Sequence, residues 1–421
     1  MKKIVLFLLL TISTFSFSQD ISGQWNGILE VQGTQLHLVF NINKTPNGYQ
    51  STMDSPDQGA TGIPVTNTAF ENSVLKISIT NAGIEYEGTL DKNNIIIGNF
   101  KQSGMVLPMN LSFAKPKNEV VSETPSSIDQ NFIETEIVLE TKTGKIFGTL
   151  TTPKTFSTIP VALIIAGSGP TDRNCNNSMM KSDAYKKLAH QLAQKNIASV
   201  RYDKRGIAAS IEAGLSEADL RFENYIDDAK EWTALLKKDK RFSSTTIIGH
   251  SEGSTIGMIA AKNANKYISI AGPGQSADKV LKTQFKSQPK EIQEIAFPII
   301  DSLSSGKLVD KVDPNFNSLF RKSVQPYLIS WYKCDPQLEI QKLKIPVLIL
   351  QGTNDIQVSV DEAKKLSAAN KNAKLVIIEN MNHVCIIIEG DRQANMATYN
   401  KSNLPLAPEL ISEITDFILQ K

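Results

Sequence analysis

Two hydrophobic patterns divide the chain. Residues 19–115 contain short runs in which apolar and polar positions alternate, with turn sequences such as Pro46-Asn47-Gly48 between them. Alternation with a period of two places every second side chain on one face and is typical of half-buried antiparallel strands. The alternating runs lie at 35–42, 75–79, 84–90, 95–100 and 106–113. We therefore predict a small all-β domain, either a barrel or a sandwich.

From residue 132 to 421 the pattern becomes strand–helix alternation. Apolar runs follow one another with stretches between them whose apolar residues recur at helical spacing. This predicts a doubly wound, mainly parallel sheet with helices on both faces, and the hairpin of 135–139 and 144–151 as its antiparallel edge. Residues 116–131, rich in Lys, Pro, Ser and Glu, are the predicted linker. The stretch 275–340 is too long for a loop and predicts helices.

The N-terminal 18 residues have the pattern of a secretory signal peptide. Two lysines precede the apolar run 4–10, and small residues precede an expected cleavage before Gln19. No later apolar run is long enough to span a bilayer, and no cysteine lies near the cleavage point. We therefore expect an exported protein, periplasmic or secreted, that has no stable membrane anchor.

Charge and cysteine content exclude several classes of partner. The 45 basic and 43 acidic residues leave a formal net charge of +2, which does not indicate binding to nucleic acid or to anionic membranes. Cys175, Cys334 and Cys385 are unclustered, so at most one disulfide can form and no metal-ligand spacing exists. Cys385 lies in an apolar run and is predicted to be buried rather than nucleophilic. We predict no metal and no organic cofactor.

The segment Gly249-His250-Ser251-Glu252-Gly253 carries the candidate chemistry. It follows the apolar run 246–248 and precedes the small, apolar run 255–261. A strand that turns sharply into a helix strains the turn residue, and the turn is tolerated only if the residues two before and two after are nearly without side chains. We predict that Ser251 is a nucleophile at the carboxyl end of the sheet. The Glu252 N–H, at the start of a helix, is the predicted first oxyanion donor.

With this motif the chain resembles the α/β-hydrolases, in particular bacterial carboxylesterases related to dienelactone hydrolases and prolyl-oligopeptidase-like enzymes. In that family the nucleophile, the acid and the histidine follow in this order along the chain. Of four histidines, only His383 lies after Ser251 with room for an acid between them. The resemblance implies that Asp355, which follows the strand 346–350, is the acid. Asp361 is its nearest competitor but is more simply the cap of a helix 361–369.

The resemblance also implies a second oxyanion donor and a lid. The family carries the donor in the loop after its third strand, which here is 166–170 after the strand 161–165. By position the donor is the Ser168 N–H, with Gly169 as the alternative. In this fold an insertion at 275–340 forms a lid over the serine.

Three charged residues near the same end of the sheet stay open to two interpretations. Asp172, Arg173 and Arg205 could bind a substrate carboxylate or shape the acyl pocket. Residues of this kind more often form ion pairs that fix loops.

The sequence therefore predicts an exported serine hydrolase that cleaves small-molecule carboxylic esters through an acyl-enzyme. One alternative is a serine peptidase of the acylaminoacyl or dipeptidyl type on the same triad, although residues 19–115 are too few for the propeller that such enzymes commonly carry. The other is a catalytically silent binding protein that acts through its β domain. The presence of all three residues of the triad, Ser251, Asp355 and His383, argues against a protein without catalytic activity.

Overall fold

The computed structural model describes residues 20–114 and 131–420, except 32, 33, 47, 56–59, 103, 104, 156, 178, 179 and 287. The predicted signal peptide and nearly all of the predicted linker lie outside the described residues. The chain divides into an N-terminal and a C-terminal unit, and the division falls within the linker sequence.

The N-terminal unit is a closed antiparallel barrel. β1 pairs with β2 and with β10, and β10 also pairs with β8, so that eight strands form a ring (β1, β2, β3, β5, β6, β7, β8 and β10). The two remaining strands, β4 and β9, pair with β3 and β8 outside this ring. The strands are β1 Gly23–Val31, β2 Thr34–Thr45, β3 Gly48–Ser55, β4 Ala60–Pro64, β5 Asn67–Glu71, β6 Val74–Ile79, β7 Ile84–Leu90, β8 Ile95–Gln102, β9 Met105–Pro108 and β10 Leu111–Ala114.

Side chains fill the interior of this barrel. In β7 the buried Ile84, Tyr86 and Leu90 alternate with exposed glutamates, as the period of two requires. The Tyr86 hydroxyl donates to the carbonyls of Ile96 and Met109, which satisfies the polar end of a buried ring. An eight-stranded barrel is just wide enough for side chains to pack across it. The core of this unit is therefore the barrel interior, and of the two predicted architectures the barrel is the one observed.

The C-terminal unit is built on a mixed sheet of eight strands in the order β11-β12-β16-β13-β17-β18-β19-β20. The hairpin β11–β12 is antiparallel and pairs antiparallel with β16, whereas all the pairings from β16 to β20 are parallel. A separate hairpin outside the sheet is formed by β14 and β15, which have two residues each. The strands are β11 Phe132–Thr141, β12 Gly144–Pro153, β13 Ile159–Ile165, β14 Asn176–Asn177, β15 Met180–Lys181, β16 Ala198–Tyr202, β17 Phe242–His250, β18 Lys266–Ile270, β19 Val347–Gly352 and β20 Lys374–Ile378.

Helices connect and cover these strands. The chain between β18 and β19, which includes the predicted insertion 275–340, contains helices α4 to α8. In the ranges that the structure describes, no helix is long and apolar enough to span a bilayer. The α-helices are α1 Ala184–Gln194, α2 Phe222–Lys238, α3 Glu252–Ala260, α4 Ala277–Phe285, α5 Lys290–Ser304, α6 Asn317–Phe320, α7 Gln325–Tyr332, α8 Pro336–Gln341, α9 Val360–Ala369, α10 Arg392–Ala397 and α11 Pro408–Leu419.

The central strands are buried on both faces. In β13, Val161, Leu163 and Ile165 belong to one apolar cluster, while Ala162 and Ile164 belong to a second cluster on the opposite face. This explains why the strands read as continuous apolar runs rather than as alternating ones. The carboxyl ends of the parallel strands meet at one edge of the sheet, where ligands bind in open α/β sheets.

Candidate active site

Ser251 lies at the sharp turn between β17 and α3, in a strained backbone conformation. Its φ of 54° and ψ of −122° are outside the regions that a non-glycine residue normally occupies. A Cβ atom added at Gly249 would lie 2.2 Å from the Gly253 carbonyl oxygen, and one at Gly253 would lie 2.3 Å from that of Ile165. Only glycine fits at these two positions, because backbone atoms occupy the space of a side chain. The local geometry is the one that the sequence predicts for an exposed nucleophile.

Asp355 and His383 are joined by a hydrogen bond. His383 Nδ1 lies 2.8 Å from Asp355 Oδ2, and their side chains are 7% and 1% exposed. The other carboxylate oxygen accepts the Gln357 and Val358 N–H groups at 2.8 and 2.9 Å. Burial by itself would raise the pKa of Asp355, but the His383 ring and these N–H groups lower it overall. The carboxylate is therefore held ionised and aimed at the imidazole.

His250 places the His383 loop beside the Ser251 turn. The two imidazole rings have centroids 4.7 Å apart, and His250 Nε2 lies 2.8 Å from the His383 carbonyl oxygen. His250 immediately precedes Ser251, so this bond ties the histidine loop to the nucleophile turn. The sequence-predicted Ser251, Asp355 and His383 therefore lie at the carboxyl ends of three different strands of the sheet. Asp355 and His383 are in contact, and the His383 loop is bound to the residue before Ser251.

His250 is neutral in this arrangement. Burial, and then the neighbouring His383 ring, lower the pKa of His250 to about 3. Because the His383 carbonyl can only accept, His250 Nε2 carries the proton and Nδ1 accepts from the Tyr185 hydroxyl at 2.8 Å. Tyr185 in turn accepts the Gly167 N–H at 3.1 Å. A chain of hydrogen bonds therefore connects the 166–170 loop to the His383 loop.

The predicted oxyanion donors lie on the two segments that flank Ser251. A Cβ atom at Gly167 would lie 3.2 Å from Ser251 Cβ, so the loop after β13 passes directly beside the nucleophile. The next residue, Ser168, is exposed. Glu252 is the first residue of α3, so its N–H has no acceptor within the helix. Within the part of the chain that the structure describes, neither N–H group donates to another protein group.

The Glu252 side chain turns into the protein. It is 2% exposed and lies 3.0 Å from Lys204 Nζ, and its second oxygen accepts from the Tyr327 hydroxyl at 3.0 Å. Burial is the main cause that raises the pKa of Tyr327, so its hydroxyl keeps the proton it donates. Tyr327 belongs to α7, so the helical insertion contacts the residue that follows the nucleophile.

The three charged candidates for substrate binding are engaged with other parts of the unit. Arg173 donates to Asp203 through its backbone N–H, Nε and Nη2 at 2.7, 2.9 and 2.7 Å. Arg205 forms a two-bond ion pair with Asp228. Asp172 accepts two backbone N–H groups of its own loop at 2.8 Å. These contacts favour the loop-fixing interpretation over substrate binding.

Two sequence interpretations near the site can be compared with the structure. Cys385 is buried, and burial raises the pKa of its thiol, which disfavours the thiolate that a nucleophile needs. Asp361 is not a cap, because α9 begins at Val360 with Ser359 preceding it. The Asp361 side chain is 77% exposed and pairs with Lys364 at 3.4 Å.

The contacts that four residues make in this network were not predicted: those of Tyr185, Lys204, His250 and Tyr327. His250 could have been noticed from its place inside the motif around Ser251. The other three carry no local signal, because only the folded chain brings them to the turn.

Comparison with known proteins agrees with this architecture. A family described as serine aminopeptidase, S33, matches residues 178–316, a range that includes Ser251. Esterase EstD of Thermotoga maritima is 26% identical over 294 residues, which cover 66% of this chain and 66% of EstD. The C-terminal unit has the α/β-hydrolase fold.

Two solved structures are also similar to this chain. Est1E from Butyrivibrio proteoclasticus is 18% identical, with a TM-score of 0.43, and the match covers 68% of this chain and 99% of that one. The Pyrococcus furiosus esterase Pf2001 is 13% identical, with a TM-score of 0.42, and the match covers 69% and 93%.

Proposed function

We propose that this α/β-hydrolase is an exported serine esterase that cleaves carboxylic esters through Ser251, His383 and Asp355. The observation that carries the proposal is the 2.8 Å Asp355–His383 hydrogen bond beside a strained Ser251 turn. The sequence similarity to EstD, which is named an esterase, favours an ester as substrate.

The chemistry follows from these positions. Ser251 Oγ attacks the ester carbonyl carbon while His383 Nε2 takes the hydroxyl proton. Asp355 keeps the proton of His383 on Nδ1 and stabilises the imidazolium. The N–H groups of Glu252 and Ser168 donate to the tetrahedral oxyanion. His383 then protonates the leaving alcohol, and water cleaves the acyl-enzyme by the same route.

A serine peptidase is the second candidate, because the matching family is described as a serine aminopeptidase. A panel of p-nitrophenyl esters and aminoacyl p-nitroanilides separates the two. We expect kcat/KM for p-nitrophenyl acetate or butyrate to exceed that for every anilide by about 100-fold, after normalising both to the spontaneous reaction. Anilides cleaved as well as esters would establish the peptidase. A protein that turns over neither substrate would favour the silent binding protein.

Export rests on the pattern of residues 1–18. When the full chain is expressed in a bacterial host, we expect the released protein to begin at Gln19, as N-terminal sequencing would show. Leu8→Arg interrupts the apolar run and should leave an uncleaved protein in the cytoplasm. A wild-type chain that stays in the cytoplasm and still begins at Met1 would contradict export without affecting the proposed chemistry.

A further inference from the structure

We infer that Lys204 is a positioning residue that fixes the peptide unit carrying the second oxyanion donor. This inference rests on the proposed function, since it assigns a role to a donor of that reaction. It does not concern the triad.

The first observation is a bond from Lys204 to the loop after β13. Lys204 follows β16, its side chain is 2% exposed, and its Nζ donates to the Gly167 carbonyl oxygen at 2.7 Å. That oxygen and the Ser168 N–H belong to one planar, trans peptide unit and therefore point in opposite directions. Holding the oxygen from inside the protein sets the direction in which the Ser168 N–H points at the surface.

The second observation is that the same ammonium group also binds the residue of the first donor. Lys204 Nζ lies 3.0 Å from Glu252 Oε1, and the Tyr327 hydroxyl donates to the other oxygen. The two oxyanion donors belong to different segments, the loop after β13 and the first turn of α3. Lys204 joins these segments behind the donors, so their separation does not depend on the loop alone.

The charges of this group also suit the reaction. An unpaired carboxylate at Glu252 would oppose negative charge that develops on the substrate oxygen. The ammonium group compensates it, and its charge-assisted bond to Gly167 polarises the peptide so that the Ser168 N–H becomes a stronger donor.

Arg201 is a second buried cation and can be compared with Lys204. It lies in β16, is 3% exposed, and pairs with Glu134 at 2.7 Å while donating to the Thr151 hydroxyl and the Asn174 side chain. None of these contacts involves the 166–170 loop. The pair of Arg201 and Glu134 is therefore a matched control for a buried cation that has no oxyanion-hole contact.

The test is the double variant K204M/E252Q. It removes the ammonium group without leaving a buried carboxylate unpaired, because an unpaired buried charge would destabilise the fold by itself. We expect kcat for p-nitrophenyl acetate to fall about 10- to 100-fold, which does not exceed the fall in kcat when a whole oxyanion donor is removed. We expect KM to change less than about threefold. Affinity for n-butylboronic acid should fall by the same factor as kcat. In that adduct the Ser251 Oγ–B bond forms, His383 takes the hydroxyl proton, and the boronate becomes a tetrahedral anion.

The control R201M/E134Q should keep kcat and boronate affinity within about twofold of the wild type, even where its melting temperature falls.

If K204M/E252Q does not fold, K204R preserves the charge pair but cannot place a single donor on the Gly167 oxygen in the same way. We expect K204R to lose kcat several-fold at unchanged KM. Wild-type kcat and boronate affinity in the folded double variant, or in K204R if the double variant does not fold, would overturn the inference. A loss confined to KM, or the same loss in the control, would also overturn it. Failure of the proposed function would show instead as a wild-type protein that cleaves no ester.

Discussion

Ser251→Ala should lower kcat for p-nitrophenyl acetate by about 10⁵-fold or more and leave the protein folded. The change removes one oxygen atom and keeps the Cβ atom, so the strained turn is no more crowded than before. Without Oγ no acyl-enzyme can form, and only ground-state binding and the oxyanion donors remain to accelerate attack by water. Burst-phase stopped-flow kinetics and circular dichroism on the same preparation would measure both parts of the prediction.

Ser254→Ala is the matched control. Ser254 lies in the first turn of α3, three residues after Ser251, and is buried. Its hydroxyl forms hydrogen bonds with the hydroxyls of Tyr267 and Ser269 at 2.9 and 2.7 Å. Its loss should reduce stability by about 1 kcal/mol but leave kcat within about twofold. A fluorophosphonate probe should modify Ser251 in the wild type and in Ser254→Ala. Modification of Cys385, or normal turnover by Ser251→Ala, would end the serine-esterase proposal.

The sequence was most informative where one pattern repeats over a whole element. Continuous apolar runs marked the central strands β13 and β19, because a strand buried on both faces has few polar positions. The barrel strands were harder to find. β1 and β3 to β5 were not among the predicted runs. The sequences of β3 to β5 contain many Gly, Asn, Ser and Thr residues and few large apolar ones. The run 106–113 forms two strands rather than one, and β9 ends at Pro108, which has no N–H for the ladder.

The candidate site also has a part that the local sequence predicts and a part that depends on contacts between residues distant in the sequence. The Ser251 turn was predictable because its steric demand acts within five consecutive residues. The network behind it was not, because Lys204 and Tyr327 reach Glu252 across 48 and 75 residues of sequence. Nothing in the local pattern of either residue indicates such a contact. Sequence therefore indicated the groups proposed to react, and the folded structure was needed to find the groups that hold them.

Asp355→Asn should lower kcat by about 10³- to 10⁴-fold with little change in KM. Asp355 Oδ1 accepts two backbone N–H groups, and an asparagine would keep its amide oxygen there, since only the oxygen can accept. The amide NH₂ would then face His383 Nδ1 and force that nitrogen to accept. His383 would carry its proton on Nε2, on the side of Ser251, and could not take the serine proton.

Gln351 Nε2 also donates to Asp355 Oδ2, at 3.1 Å, so the NH₂ group of the asparagine would face this donor as well as His383. The two backbone N–H groups at the other oxygen oppose the rotation that would exchange the amide oxygen and nitrogen. Asp361→Asn is the control, because Asp361 is exposed at the first turn of α9 and should change kcat less than about twofold. The pH dependence of kcat/KM should be measured for both variants. If Asp361→Asn lost activity and Asp355→Asn retained it, the assignment of the acid would be wrong even though the 2.8 Å bond to His383 is present.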